Sequence, residues 1–231
     1  AMLPEAVMRE IQKELLNWHG LGMSVMEIGH RTEPFMDLMK SLEADFREVM
    51  SIPDHYHVLF LGGAARSQFA MIPMNLLSKK DDAGYLISGI WSSLAYEEAC
   101  KLKQAYCVAS TQNNNFMSVP DPVSWEFFED TAYVYYTPNE TINGVRFSKT
   151  PSVPDNKPLI ADMTSCLLSE PINVSDFGLI FAGAQKNISA AGLTIVPHLD
   201  CAPVIERDLD AIIDKGSGLD DRSLIVRRTF F

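Results

Sequence analysis

Apolar residues recur at helical spacing near the start of the chain, where Ala6, Val7, Ile11, Leu15, Leu16 and Trp18 share one side of a 3.6-residue repeat, with Pro4 in a permissible first-turn position. This predicts an amphipathic helix over residues 5–18. Gly20 and Gly22 interrupt it, residues 24–28 read as extended, and a second helix is predicted from Pro34 to about Met50 through Phe35, Leu38, Met39, Leu42 and Phe46. The period then shortens. Residues 57–61 read as a buried strand, Gly62 and Gly63 as a turn, and residues 64–77 as a helix, which together make a strand-turn-helix unit. The alternation continues with a strand at 85–88, a helix at about 92–104 and a strand at 106–109. After a polar loop at 112–115 come a short helix within 120–130, a strand at 132–136, a turn-rich loop at 138–144 and a proline-rich connection at 150–158. Two short apolar runs, one ending at Asp162 and one at Phe181, precede a last strand at 192–196. Short strands separated by helices predict an α/β fold, a three-layer α/β/α sandwich around a mostly parallel sheet. From Pro197 the periodicity fades, so the reading is one main domain over residues 1–196 and a divergent tail over 197–231.

Composition narrows the partners. With 231 residues, 47% of them hydrophobic, the chain can bury a full core. Its formal net charge of -11 has the wrong sign for nucleic acid or an anionic membrane as the main partner, so an anionic substrate would have to meet a local basic cluster. No apolar run approaches the roughly 18 residues of a membrane span, and the first residues show neither a basic nor a hydrophobic signal region, which leads to the expectation of a cytoplasmic protein. Cys100, Cys107, Cys166 and Cys201 are scattered, and neither they nor the five histidines have metal-ligand spacing, so neither a disulfide nor a bound metal is expected.

Candidate chemistry lies where strands end. Lys186 follows an apolar strand within the run Phe181-Ala182-Gly183-Ala184-Gln185-Lys186-Asn187, whose small residues allow close approach by a flat ligand. Asp162 ends the other short strand, so an amine and an acid would share one edge of the sheet. That pair suits pyridoxal phosphate: a lysine amine attacks the cofactor's aldehyde, and a carboxylate keeps the pyridine nitrogen protonated. Such an ion pair is worth roughly 4 kcal/mol at about 4 Å under an effective dielectric of about 20. Each residue also has a plainer reading, Lys186 as a surface lysine and Asp162 as a cap for the Thr164-Ser165 turn. The amides of Ala65 and Arg66, between a strand and a helix start, suit the cofactor's phosphate, although many strand-to-helix turns look alike. Trp91 is placed either to stack on the pyridine ring or to pack in the core, and Thr141 either to donate to a ring or phosphate oxygen or to serve its own turn. His30 and Arg31 form a compact basic spot suited to a substrate carboxylate, with a surface ion pair to a neighbouring glutamate as the other reading.

In this order the residues resemble the phosphoserine aminotransferase family, fold-type-I pyridoxal phosphate enzymes. The resemblance runs through Pro4-Glu5-Ala6-Val7, Glu27-Ile28-Gly29-His30-Arg31, Gln68-Phe69-Ala70, Tyr136-Thr137-Pro138-Asn139-Glu140-Thr141-Ile142-Asn143-Gly144, Ala161-Asp162-Met163-Thr164-Ser165 and Ala184-Gln185-Lys186-Asn187, and covers about residues 1–196. It implies the large domain of that fold and transfer of an amino group between glutamate and 3-phosphohydroxypyruvate, giving O-phosphoserine and 2-oxoglutarate in serine biosynthesis, with a related substrate in pyridoxine biosynthesis. It also implies that Lys186 is the Schiff-base lysine and general base, Asp162 the pyridinium partner and Trp91 the stacking ring. Ala65, Arg66, Thr141 and Gln185 become further cofactor contacts, Arg31 with His30 the substrate site, and the assembly a homodimer.

The chain also departs from that pattern. It begins at Ala1-Met2-Leu3-Pro4 without the serine-containing loop of the family, and it has alanines at 64 and 65 where glycines are common. Residues 197–231 lack the family's Asn-Thr-Pro-Pro segment and its C-terminal small domain, which is read as absent or vestigial. The competing expectation is therefore a truncated, non-catalytic remnant that binds pyridoxal phosphate weakly or only associates with other chains.

Overall fold

The computed structural model describes residues 2–78 and 81–199. The expected tail falls almost wholly outside them. Helices α1 (Glu5–Glu14) and α2 (Glu33–Met50) precede strand β1 (Tyr56–Gly62), helix α3 (Gln68–Leu76), strand β2 (Asp82–Ile87), helix α4 (Ile90–Leu102) and strand β3 (Ala105–Ser110). Strand β4 (Thr131–Tyr136) leads into the small strands β5 (Asn139–Glu140) and β6 (Val145–Arg146), followed by β7 (Leu159–Asp162), β8 (Leu179–Gly183) and β9 (Leu193–Leu199).

Seven strands form one sheet in the order β1-β9-β8-β7-β4-β2-β3. The pairs β2–β3, β2–β4, β4–β7 and β7–β8 are parallel, while β9 runs antiparallel to both β8 and β1. Chain length accounts for the exception. Only residues 184–192 join β8 to β9, fewer than the dozen or so that a parallel crossover needs. The expected mostly parallel α/β sheet is present, and the carboxyl ends of β1, β2, β4, β7 and β8 share one edge.

Period-two alternation divides the strand side chains between two cores. Tyr85, Tyr133, Tyr135, Ile160 and Phe181 pack with Phe69 and Ile72 of α3 and Ala95 and Ala99 of α4. Their neighbours Leu86, Val134, Tyr136, Ala161 and Ile180 pack with Phe46 and Met50 of α2. The three expected layers follow. Tyr56, at the start of β1, ties the α2 face together by donating its hydroxyl to Phe177 O (2.6 Å) and Val174 O (3.0 Å).

Several local expectations change. The first helix stops at Glu14, and Trp18 is buried in a separate 3-10 turn at Trp18–Gly20. Residues 24–28 are not extended: a 3-10 turn spans Val25–Glu27, closed by Ser24 Oγ accepting from Met26 N and the Glu27 carboxylate accepting from Ser24 N at 2.9 Å. The capping pair outweighs the β-branched residues there. The helix expected within 120–130 is one 3-10 turn, Pro122–Ser124, and the 138–144 loop contributes to the β5–β6 hairpin. No helix among the described residues is long and apolar enough to cross a membrane.

Ile180 is fully buried in β8 between two strand neighbours. Truncating it to alanine is expected to cost about 2–5 kcal/mol, read as a lower urea midpoint; an unchanged midpoint contradicts its central place in the sheet.

Candidate active site

Parallel α/β sheets place ligands outside the carboxyl ends of their strands, and the sequence-predicted acid and amine are both there. Asp162 is the last residue of β7, in register with Phe181 of β8. Its side chain is buried, and Oδ1 accepts from Thr164 N at 3.0 Å. The turn-capping reading is therefore realised. Thr164 Oγ1 in turn accepts from Gly183 N at 3.2 Å, which joins the ends of β7 and β8. Burial pushes the Asp162 carboxyl up from 3.8 to about 6; the Thr164 hydrogen bonds pull it down, nearby Glu140 pushes it further up, and the Lys186 ammonium pulls it down.

Lys186, three residues beyond β8, donates from Nζ to Thr141 Oγ1 at 3.3 Å and lies 5.6 Å from the centre of the Trp91 indole. Trp91 is in the first turn of α4 and donates from Nε1 to the same Thr141 oxygen at 3.1 Å. A hydroxyl has two acceptor lone pairs and one proton. With both lone pairs engaged, Thr141 retains its proton to give to an incoming oxygen. Trp91 also borders the α3–α4 core and is only partly buried, so packing and ring exposure coexist.

Glu140 was legible only as a member of a motif, with no role attached. Its side chain is fully buried, accepting from Trp91 N (2.9 Å), Ser92 N (2.8 Å) and Ser92 Oγ (2.6 Å). The signal for it was present in the sequence. Helix α4 begins after Gly89, which has no side chain to cap the free N–H groups of the first turn, so a cap had to come from elsewhere. A Cβ on Gly89 would lie 2.4–2.6 Å from the Glu140 carboxyl group, so the close approach requires glycine.

The phosphate-side candidates lie beyond β1. Ala65 and Arg66 open a 3-10 turn, Ala65–Ser67, that runs directly into α3, so their amides sit at the positive end of a continuous helical segment. Ala65 is buried, and its Cβ lies 3.1 Å from where a Cβ on Gly183 would stand, which brings this turn beside the end of β8. Gln185 approaches the same point, with Oε1 2.6 Å from that position. Arg66 projects into solvent. His30 and Arg31 occupy an exposed turn closed by Thr32 N and Oγ1 donating to Gly29 O. Among the described residues neither side chain has an ion-pair partner, so the surface ion pair weighed for Arg31 is not formed.

These residues fit a flat, anionic, aldehyde-bearing heterocycle. A buried carboxyl with an elevated proton affinity, an amine on a neutral hydroxyl, a half-buried indole and a small-residue helix start gather at one edge of the sheet.

Comparison with known proteins points the same way. The aminotransferase class-V family model matches residues 1–199. A curated phosphoserine aminotransferase of Legionella pneumophila is 61% identical over 196 residues, covering 85% of this chain and 54% of that protein. Among solved structures, a phosphoserine aminotransferase in which radiation damage of the Schiff base was followed is 41% identical with a TM-score of 0.83, over 86% of this chain and 56% of that one. The pyridoxal phosphate-bound phosphoserine aminotransferase of Trichomonas vaginalis is 33% identical with a TM-score of 0.83, over 96% and 64%. The chain spans about half the length of the curated relatives it matches.

The elevated Asp162 value has a thermodynamic consequence. The fold favours the protonated acid, so the stabilisation is fully present below about pH 3.8 and is lost as pH rises through about 6. Asp162→Asn is expected to make the cofactor-free chain about 3 kcal/mol more stable at pH 7, with the difference vanishing below about pH 4. Denaturant titrations across that range check it; parallel pH profiles for the two chains contradict the burial.

Proposed function

We propose that this chain, which belongs to the aminotransferase class-V family, forms the cofactor-binding large domain of a pyridoxal 5'-phosphate-dependent phosphoserine transaminase. The reading rests above all on one observation: Asp162 and Lys186 follow neighbouring parallel strands to the same edge, with Thr141 and Trp91 gathered at the lysine. Likeness to proteins named phosphoserine aminotransferase supports the substrate class.

When bound, pyridoxal phosphate supplies an electron sink for the carbon that loses its α-proton. The remaining work belongs to side chains. Lys186 Nζ is the amine that would hold the cofactor by its aldehyde carbon, and it would serve as the general base for the substrate's α-proton. Asp162, kept from water, holds a proton at the ring nitrogen; its raised proton affinity favours sharing that proton over leaving it to solvent. Trp91 would cover one face of the ring, and Thr141, which accepts from Trp91 Nε1, would give its hydroxyl proton to a cofactor oxygen. The amides of Ala65 and Arg66, with Gln185 beside them, face the phosphate. Arg31, whose planar fork matches a carboxylate, and neighbouring His30 bind the amino-acid substrate. The reaction moves an amino group between L-glutamate and 3-phosphohydroxypyruvate, producing O-phospho-L-serine and 2-oxoglutarate, with pyridoxine biosynthesis as a second use. We place the protein in the cytoplasm, which its scattered cysteines support, with small-molecule substrates and, as the family resemblance implies, as a homodimer.

Mixing the chain with pyridoxal phosphate is expected to generate a visible absorbance band that Lys186→Ala lacks. Glutamate and 3-phosphohydroxypyruvate should then yield 2-oxoglutarate, with at least a thousandfold loss of rate in the variant, on the order of 4 kcal/mol. A band of equal strength in both chains removes Lys186 from the site. A band without turnover leaves a cofactor-binding remnant.

A further inference from the structure

Residues 139–143 bring three anchoring side chains to elements far away in sequence. Asn139 Nδ2 donates to Ser165 Oγ at 2.9 Å, and Ser165 Oγ donates back to Asn139 O at 2.9 Å. Asn143 Oδ1 accepts from Ile90 N at 3.0 Å. Between them, Glu140 takes the amides of Trp91 and Ser92 and the Ser92 hydroxyl, while Ser92 Oγ also accepts from Ser88 N and Gly89 N. The first turn of α4 is thus capped by a loop some fifty residues downstream, and Thr141, the residue after Glu140, meets both Trp91 Nε1 and Lys186 Nζ.

We infer that Glu140 is a positioning residue for the cofactor site: by capping α4 through a buried carboxylate it sets the Trp91 indole against Thr141 and Lys186. The inference rests on the pyridoxal phosphate reading above for its functional consequence, and on the free chain for its structural one. Two features single out Glu140. It is fully buried where glutamate is ordinarily exposed, and among the described residues every hydrogen bond of its carboxylate goes to Trp91 or Ser92, in the helix turn that carries the indole. Its carboxylate is occupied by these bonds, so it acts through Trp91 and not as a group of its own at the lysine. Its charge also bears on Asp162, whose proton affinity it raises, so a single side chain influences both the ring face and the ring nitrogen.

The test compares the full chain with Glu140→Ala and Glu140→Gln, the latter keeping shape and one acceptor oxygen. Amide hydrogen exchange without cofactor reads the cap. Glu140→Ala is expected to speed exchange at Trp91 and Ser92 by roughly ten- to hundredfold, as loss of a charged acceptor at a buried site implies, with β2 and β4 amides unchanged and Glu140→Gln intermediate. Quenching of tryptophan fluorescence by added pyridoxal phosphate reads the site, with affinity about tenfold weaker in Glu140→Ala and partly restored in Glu140→Gln. Wild-type protection at 91 and 92, or wild-type cofactor affinity, in Glu140→Ala overturns the inference. Loss of protection throughout β2 and β4 in both variants also overturns it, making Glu140 a residue that holds the fold together. If the wild-type chain takes up no cofactor, the function reading fails, while exchange at 91 and 92 still decides whether Glu140 positions Trp91.

Discussion

Two carboxyl groups, Glu140 and Asp162, are withdrawn from water at the carboxyl edge of the sheet, and burial of such groups costs several kcal/mol unless donors replace the lost solvent. The structure resolves the two in opposite ways. Glu140 is supplied with two amides and a hydroxyl from the start of α4. Asp162 has the amide and the hydroxyl of Thr164, and burial still pushes its carboxyl up to about 6. One acid is held by the start of a helix; the other keeps a raised affinity for its proton. Sequence position does not distinguish the two, since both close a short strand.

The sheet explains why the groups meet. Strands β2, β4, β7 and β8 are neighbours and parallel, so their carboxyl ends deliver Gly89, the 139–143 loop, Asp162 and Lys186 to one edge from positions nearly a hundred residues apart. Reversal at β9 follows from its short connection and returns the chain alongside β1, whose end carries Ala65 and Arg66 to the same edge. Small residues at these ends, Gly89, Ala65 and Gly183, allow backbones and carboxyl groups to approach within van der Waals distance. The site is thus made of strand ends held rigid by two packed faces, with aromatic rings such as Tyr85, Tyr135 and Phe181 filling the core directly beneath.

Much of this was legible beforehand. The strand-helix alternation gave the layers and the parallel sheet because period-two and period-3.6 patterns reflect burial directly. Lys186 and Asp162 stood out because each closes an apolar run. The extended reading of 24–28 failed because a short capping pair, Ser24 with Glu27, outweighs β propensity over so few residues. The hairpin formed by Asn139–Glu140 and Val145–Arg146 was hidden by its two-residue strands. His30 and Arg31 read as a basic cluster in the sequence, and the structure holds them in an exposed turn closed on Gly29.

By itself the sequence determined which segments are buried and in what period, which residues close the strands, and which family the chain belongs to, since these depend on side-chain type and local order. Only the tertiary structure decided that β9 runs backwards, that Thr141 joins Trp91 to Lys186, and that Glu140 caps a helix begun fifty residues earlier. Those outcomes depend on which strand ends become neighbours and how far each side chain is removed from water, and both are set by long-range packing that no local pattern encodes.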